Sequence, residues 1–367
     1  MKGKIALIFC FIFMLLVPTI LMFTDVEKKY KQNENRKLVS LKMGSLRDVK
    51  RSIIDLKSFY TDNFGTRFLL YNFYNEYVSN IFNETPSVHK VLFGKEGWLF
   101  LGNNYHQAFS QVKGEVVFTK DEVYTIKNNL EAAENWSVQN KIQFYVSVVP
   151  GKHSIYTEYL PYKIHKQKTK LDQIVEAYPN LIDLRSTLKA KKQQQLYFKT
   201  DTHWNEIGAF EGYLKIMEQI KVNNHNMLLL TKESIDTITY NSKRIGDIGK
   251  ILNKEMEEIA PKISLKNELG RKAEKNLEVP FYHRLEKNNY EFRYLNEGAL
   301  NNLKIVVLRD SYSDFLINYF RATFSEVVFI YNHQFDKKLL LKENPDIVLY
   351  EMGERVTKRF MTIHTIE

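Results

Sequence analysis

The chain has 367 residues, with 53 Lys and Arg against 43 Asp and Glu, a formal net charge of +10. Its 44% apolar and 26% charged content excludes wholesale disorder, and 15 Gly with 8 Pro exclude collagen-like or proline-rich material. The single cysteine, Cys10, excludes an intramolecular disulfide, a cysteine-based zinc site and a Cys–His nucleophile in the body of the chain.

The chain opens Met1-Lys2-Gly3-Lys4 and runs apolar from Ile5 to Phe23, broken only by Pro18 and Thr19. About nineteen residues at about 1.5 Å each reach about 29 Å, the thickness of a bilayer's hydrocarbon core. No Ala-x-Ala cleavage site follows, so residues 1–24 read as an uncleaved transmembrane signal anchor rather than a removed signal peptide. Lys2 and Lys4 favour a cytoplasmic N-terminus, and Lys28, Lys29 and Lys31 on the other flank oppose it, so charge alone does not set the orientation. Residues 25–85 read as a helical stalk or N-terminal extension, because Leu38, Leu41, Ile53, Ile54, Leu56, Phe59 and Tyr60 recur at near-helical spacing.

The main domain is expected over 86–367. Gly94 and Gly97 flank Lys95-Glu96 and predict a hairpin-type turn between short strands. Residues 120–140 read as a helix, and 142–149 as a buried strand ended by Pro150-Gly151. A helix over 168–177, a short strand at 181–183 and a helix over 205–220 follow. Residues 222–290 are polar and irregular and read as an insertion. The pattern returns with a strand at 304–308, a helix over about 314–323, and strands at 327–330 and 347–350. Strands alternating with helices predict an α/β fold with a parallel central sheet.

Two segments carry candidate chemistry. Ser311 follows the strand ending at Leu308 and precedes a helix, at the carboxyl edge where open α/β sheets bind ligands. Backbone N–H groups at a helix start can stabilise a developing oxyanion there. Serine needs a base, usually histidine, and a carboxylate to fix the imidazole. Asp201 and His203, two residues apart, can supply both if their loop reaches Ser311. The plainer alternatives stand beside this: a chance Asp-x-His, a serine that only caps a helix, and Asp310 as a rival orienting acid. His153, His283 and His333 form no metal-ligand spacing, no phosphate-binding glycine motif is present, and no basic stripe with interleaved aromatics points to nucleic acid.

The ordered segments Phe64-Gly65-Thr66-Arg67, Gly94-Lys95-Glu96-Gly97-Trp98-Leu99-Phe100, Val149-Pro150-Gly151-Lys152, Asp201-Thr202-His203-Trp204-Asn205, Arg309-Asp310-Ser311-Tyr312-Ser313 and Pro345-Asp346-Ile347-Val348 with Glu354-Arg355 resemble one family over about residues 55–358. It is the SGNH hydrolase-like group of polysaccharide O-acetylation, AlgJ, AlgX and the related DHHW proteins. The resemblance implies a three-layer α/β/α domain and a triad of Ser311, His203 and Asp201 that needs no cofactor or metal. An acetyl group from a membrane-bound MBOAT-type acyltransferase would pass through Ser311 to a cell-surface or secreted polysaccharide, outside the cytoplasmic membrane of a bacterium. Arg355, Trp204 and Tyr312 are the implied substrate-binding residues; a surface ion pair for Arg355 and simple packing for the two aromatics are their plain alternatives. The family usually has Gly where this chain has Arg309. An acetylesterase and a non-catalytic assembly subunit are the competing functions.

Overall fold

A computed structural model describes residues 2–22, 40, 49–65, 90–161, 163–164, 167–252, 255–266, 274–275, 291–331 and 334–363. Helix α1 (Lys2–Leu21) carries the apolar run; it is long and apolar enough to cross a membrane, a test that a signal sequence also passes. Helix α2 (Val49–Asn63) covers part of the expected stalk, with Ile53, Ile54 and Leu56 exposed. Apart from Ser40, Phe64 and Gly65, the rest of that stretch, including Leu38, Leu41 and the Thr66-Arg67 pair, lies outside the described residues.

Strands β1 (Val91–Phe93) and β2 (Leu99–Leu101) form the expected hairpin around a single turn of 3-10 helix at Lys95–Gly97. Helix α3 (Lys120–Gln139) starts at a capping box, in which Thr119 and Glu122 satisfy each other's amide. Strand β3 (Gln143–Val149) ends at Pro150, and the one-turn helix α4 (Lys152–Ile155) follows. Helix α5 (Lys170–Ala177) repeats the capping box with Thr169 and Asp172. Strand β4 (Ile182–Asp183) and helix α6 (Glu206–Val222) come next, α6 capped by Asn205 accepting from the Gly208 amide.

The stretch read as irregular contains a long antiparallel hairpin, β5 (Ile235–Ile245) and β6 (Glu257–Leu265), with the short helix α7 (Asp247–Ile251) at its turn. Strands β7 (Glu274–Lys275), β8 (Glu291–Leu295) and β9 (Asn301–Leu308), helix α8 (Ile317–Thr323), strand β10 (Phe324–Ile330), helix α9 (Lys337–Glu343) and strand β11 (Ile347–Gly353) complete the body.

The seven-stranded main sheet runs β4-β3-β11-β9-β10-β8-β7. Its first five strands are parallel, but β8 runs antiparallel to β10, and β7 antiparallel to β8. The sheet is therefore mixed, which corrects the wholly parallel expectation. The reason is the connection. Only residues 296–300 join β8 to β9, and a parallel return needs a crossover of about a dozen residues or more.

The central strands are apolar on both faces, which is why they read as continuous hydrophobic runs. Ile305, Val307, Val327, Phe329, Ile347 and Leu349 share one core cluster with Phe210, Tyr213 and Met217 of α6 and Phe320 of α8. Val306, Leu308, Val328, Val348 and Tyr350 share another with Ile126 and Leu130 of α3, Ile174 of α5 and Leu340 of α9. Leu349 is fully buried on the middle strand, so Leu349→Ala should lower the unfolding free energy by about 2–5 kcal/mol, read as an earlier urea midpoint.

Candidate active site

The carboxyl ends of β3, β9 and β11 meet at one edge of the sheet. Beyond β9, Ser311 opens a short 3-10 helix, Ser311–Phe315, with Asp310 as its N-cap. Asp310 accepts from the Tyr312 amide at 2.9 Å and, through its other oxygen, from the Gly353 amide at 2.8 Å. It thereby ties the serine turn to the end of β11 and does not orient His203.

Asp201 and His203 sit on a tight loop closed by the Tyr197–Trp204 bridge and by bonds from the Phe198 amide to the His203 carbonyl and from the Asn205 amide to the Leu196 carbonyl. The loop is buried, so its backbone groups need partners. Glu258 of β6 accepts from the Lys199 and Thr200 amides, each at 2.7 Å. Asp247 of α7 accepts from the Thr202 amide at 2.7 Å and from its hydroxyl at 2.6 Å. The Ile248 and Gly249 amides donate to the Thr200 carbonyl. Lys152, from the end of β3, donates to the carbonyls of Phe198, Lys199 and Asp201.

This loop and the serine turn are joined. The Tyr312 hydroxyl donates to the Thr202 carbonyl at 3.0 Å, and the Trp204 indole donates to the Tyr312 carbonyl at 3.0 Å. Between them, His203 Nε2 lies 2.8 Å from Ser311 Oγ and Nδ1 lies 2.7 Å from Asp201 Oδ1. The same Asp201 oxygen accepts from the His203 amide at 3.0 Å. Its other oxygen accepts from Arg244 Nε at 3.0 Å and from the Asp247 amide at 3.3 Å. Burial alone would raise the Asp201 carboxyl; the hydrogen bond and charge of His203, the Arg244 guanidinium and the His203 amide outweigh it and hold the group far below the usual carboxylate range.

Donor atoms of Asp201, His203 and Asp247 lie within 4.8 Å of one another. They do not suit a resident cation. Nδ1 faces Asp201, Asp247 is taken up by Thr202, and the Arg244 guanidinium lies against Asp201. Such a set of partners orients an imidazole.

A cleft of about 280 Å³ opens over the pair, lined by His203, Glu206, Arg244, Ser311, Phe315 and Asn318 among others. Arg244 stacks its guanidinium over the rings of Phe198 and Phe315, at 5.0 and 5.3 Å.

Residues 91–275 match the family described as SGNH hydrolase-like domain, acetyltransferase AlgX. The chain belongs to this family. Asp201 and His203 lie within the matched stretch, and Ser311 lies beyond it. Among curated proteins the chain is 27% identical, over 158 residues, to the probable alginate O-acetylase AlgJ of Pseudomonas syringae. It is 26% identical over 126 residues to the AlgJ of Pseudomonas putida. These stretches cover 41% and 32% of this chain, and 38% and 31% of the relatives. Two solved structures share the fold. Bacillus cereus PatB1 has a TM-score of 0.54 at 17% identity, covering 74% of this chain and 98% of that one. A DHHW family protein from Eubacterium siraeum has a TM-score of 0.50 at 14% identity, covering 69% and 91%.

The residues singled out beside the triad candidates in this AlgX-type domain sit elsewhere. Trp204 and Tyr312 are 0% and 2% exposed, beneath the cleft and not on its wall. Arg355 lies over the Tyr312 ring at 5.8 Å, in a separate cavity of about 20 Å³ shared with Lys152, His153, Thr202 and Glu354. Arg309 is buried; it donates to the Asp310 carbonyl and to Asp314, and stacks on Phe292 and Tyr331. Lys152, Arg244, Asp247 and Glu258 were not legible as site residues. The one available signal was the Gly246-Asp247 pair, which marks a turn.

Two outcomes follow from this packing. A Cβ on Gly246 would lie 2.1 Å from the Thr200 carbonyl oxygen, so Gly246→Ala should cost about 1–3 kcal/mol of stability, measured by urea unfolding. The Asp201 carboxyl is depressed by folding, so its contribution is complete above its unfolded value of about 4 and is lost as pH falls below that. Asp201→Asn should therefore destabilise the protein at pH 7 and narrow its gap to wild type at pH 3, read from unfolding midpoints.

Proposed function

We propose that this chain is a polysaccharide O-acetyltransferase that works through an acetyl-serine intermediate on Ser311. What supports the reading is the continuous hydrogen-bonded line from Ser311 Oγ through both nitrogens of His203 to Asp201, at 2.8 and 2.7 Å, opening on a cleft of about 280 Å³. Family membership supplies the group to be transferred, and the AlgJ relatives supply the class of acceptor.

In the first half-reaction Ser311 Oγ attacks the acetyl carbonyl carbon of the donor while His203 Nε2 takes the hydroxyl proton. The tetrahedral adduct collapses, the donor's leaving group departs with that proton, and acetyl-Ser311 remains. In the second half a sugar hydroxyl attacks the acetyl carbon and gives its proton to Nε2. Ser311 then leaves as alkoxide and recovers the proton. Asp201 holds the imidazole with Nδ1–H toward itself and stabilises the imidazolium formed in each half. The Ser311 amide, at the first position of the 3-10 turn, is the donor we assign to the charge that gathers on the carbonyl oxygen.

Residues 1–24 serve as a single-pass anchor, 25–85 as a spacer, and 86–367 as the catalytic domain with its insertion at about 222–290. The domain works outside the cytoplasmic membrane, where a membrane-bound acyltransferase of the MBOAT type hands over the acetyl group.

Full-length Ser311→Ala should lose about three or more orders of magnitude of transfer rate, and polymer O-acetyl content in cells should fall to background. Protein level and membrane attachment should stay unchanged. Normal acetylation by a stable, correctly located variant would sink the reading. Purified protein given an acetyl donor and an oligosaccharide should yield acetylated sugar; free acetate alone would make it an esterase.

A further inference from the structure

The mechanism uses Ser311, His203 and Asp201, yet another ionisable group beside them is more deeply buried than His203. Lys152 is 1% exposed. Lysine is almost never fully buried unless its charge is met by a partner, and no carboxylate forms an ion pair with it among the described residues. Its ammonium instead donates to three carbonyls, those of Phe198 at 3.1 Å, Lys199 at 2.9 Å and Asp201 at 2.7 Å. An ammonium has three N–H donors and no acceptor, so this arrangement uses all of them. The ring faces of Trp98 and Phe100 close the remaining sides at 5.8 and 5.4 Å.

All three acceptors belong to the loop that ends in Asp201 and His203. The amides of the same loop point at Glu258 and Asp247. The loop is thus gripped by a cation through its carbonyls and by anions through its amides. We infer that Lys152 is the positioning residue of the site: its buried ammonium holds the loop in the conformation that aims Asp201 at Nδ1 and His203 at Ser311. The inference rests on the reading of Ser311 as the nucleophile.

Charge state matters to this grip. A neutral amine has two N–H groups and a lone pair for three carbonyls, so one carbonyl would face a lone pair. Burial pulls the Lys152 pKa down to about 7, against the carboxylates of Asp247, Glu258 and Asp201, which favour the cation. Its neighbour His153 is pushed down to about 4 by burial and is neutral beside it. Lys199 shares the Trp98 ring, and Glu354 and Arg355 border the adjoining cavity. Reactivity of Ser311 should therefore decline on the alkaline side as Lys152 loses its proton.

The test uses the full chain in detergent and phenylmethanesulfonyl fluoride as a probe that needs neither acetyl donor nor sugar. The Ser311 oxygen forms the bond to sulfur, fluoride leaves, and the serine proton passes to His203; mass spectrometry locates the adduct. Lys152→Met should slow labelling by about 10²-fold, the scale of an ångström of misplacement, and should abolish the alkaline decline. Lys152→Gln, with two N–H donors and no charge, should fall between wild type and Met and also lack that decline. Urea melts identify which variants are folded. A folded Met or Gln variant that labels at the wild-type rate with the wild-type pH profile overturns the inference. If neither folds, the wild type decides alone: a labelling rate that falls nowhere between pH 7 and the ordinary lysine value of 10.5 overturns it. Failure of the wild type to label at Ser311 would instead remove the nucleophile reading.

Discussion

A buried loop with no regular secondary structure must find partners for its backbone groups, and the segment from Phe198 to His203 meets most of them with charges. Four of its amides meet the carboxylates of Glu258, Asp247 and Asp201, three of its carbonyls share one ammonium, and the remaining carbonyls of Thr200, Thr202 and His203 are met by α7, by Tyr312 and by the loop itself. Charge-assisted bonds are stronger and more directional than neutral ones, and a group left without its partner in such a place is costly. The imidazole is therefore held by the whole network around its loop as well as by Asp201.

That network draws on three separate parts of the chain. Lys152 arrives from the end of β3, Glu258 and Asp247 from the β5–β6 hairpin and its turn, and Tyr312 from the turn after β9. The hairpin is not a strand of the main sheet, yet it provides Arg244, which touches both Asp201 and the cleft. The hairpin is thus wired to the Asp201–His203 pair. Asp201 and Arg244 are paired: the guanidinium adds to the larger effect of His203 in lowering the Asp201 carboxyl, and it sits over the rings of Phe198 and Phe315.

The legible parts of the chain are those with local or periodic signals. Strands β3, β9 and β11 are buried on both faces, so they stand out as apolar runs, and Pro150-Gly151 marks where the first of them stops. Ser311 was found by its position after such a strand, and Asp201 with His203 by their spacing. The β5–β6 hairpin was missed because most of β5 is exposed, Tyr240 included, as is Ile259 of β6, so no apolar stripe announces it. The reversed direction of β8 follows from a short connection, which periodicity does not encode. Lys152 and Glu258 reach the loop only through tertiary structure, and a lysine in a sequence carries no sign that it will be buried.

The pairing of the middle strands has a bearing on how the molecule is made. Gln143 of β3 aligns with Ile347 of β11, roughly two hundred positions further on, and β11 is also the strand that bridges β3 to β9. Contacts so distant along the polymer are slow to form, and the sheet's centre cannot close until the last of its strands has emerged. A nascent chain therefore carries its histidine loop long before it has a seat for the serine. The contact between His203 and Ser311 can therefore settle only after β11 has emerged.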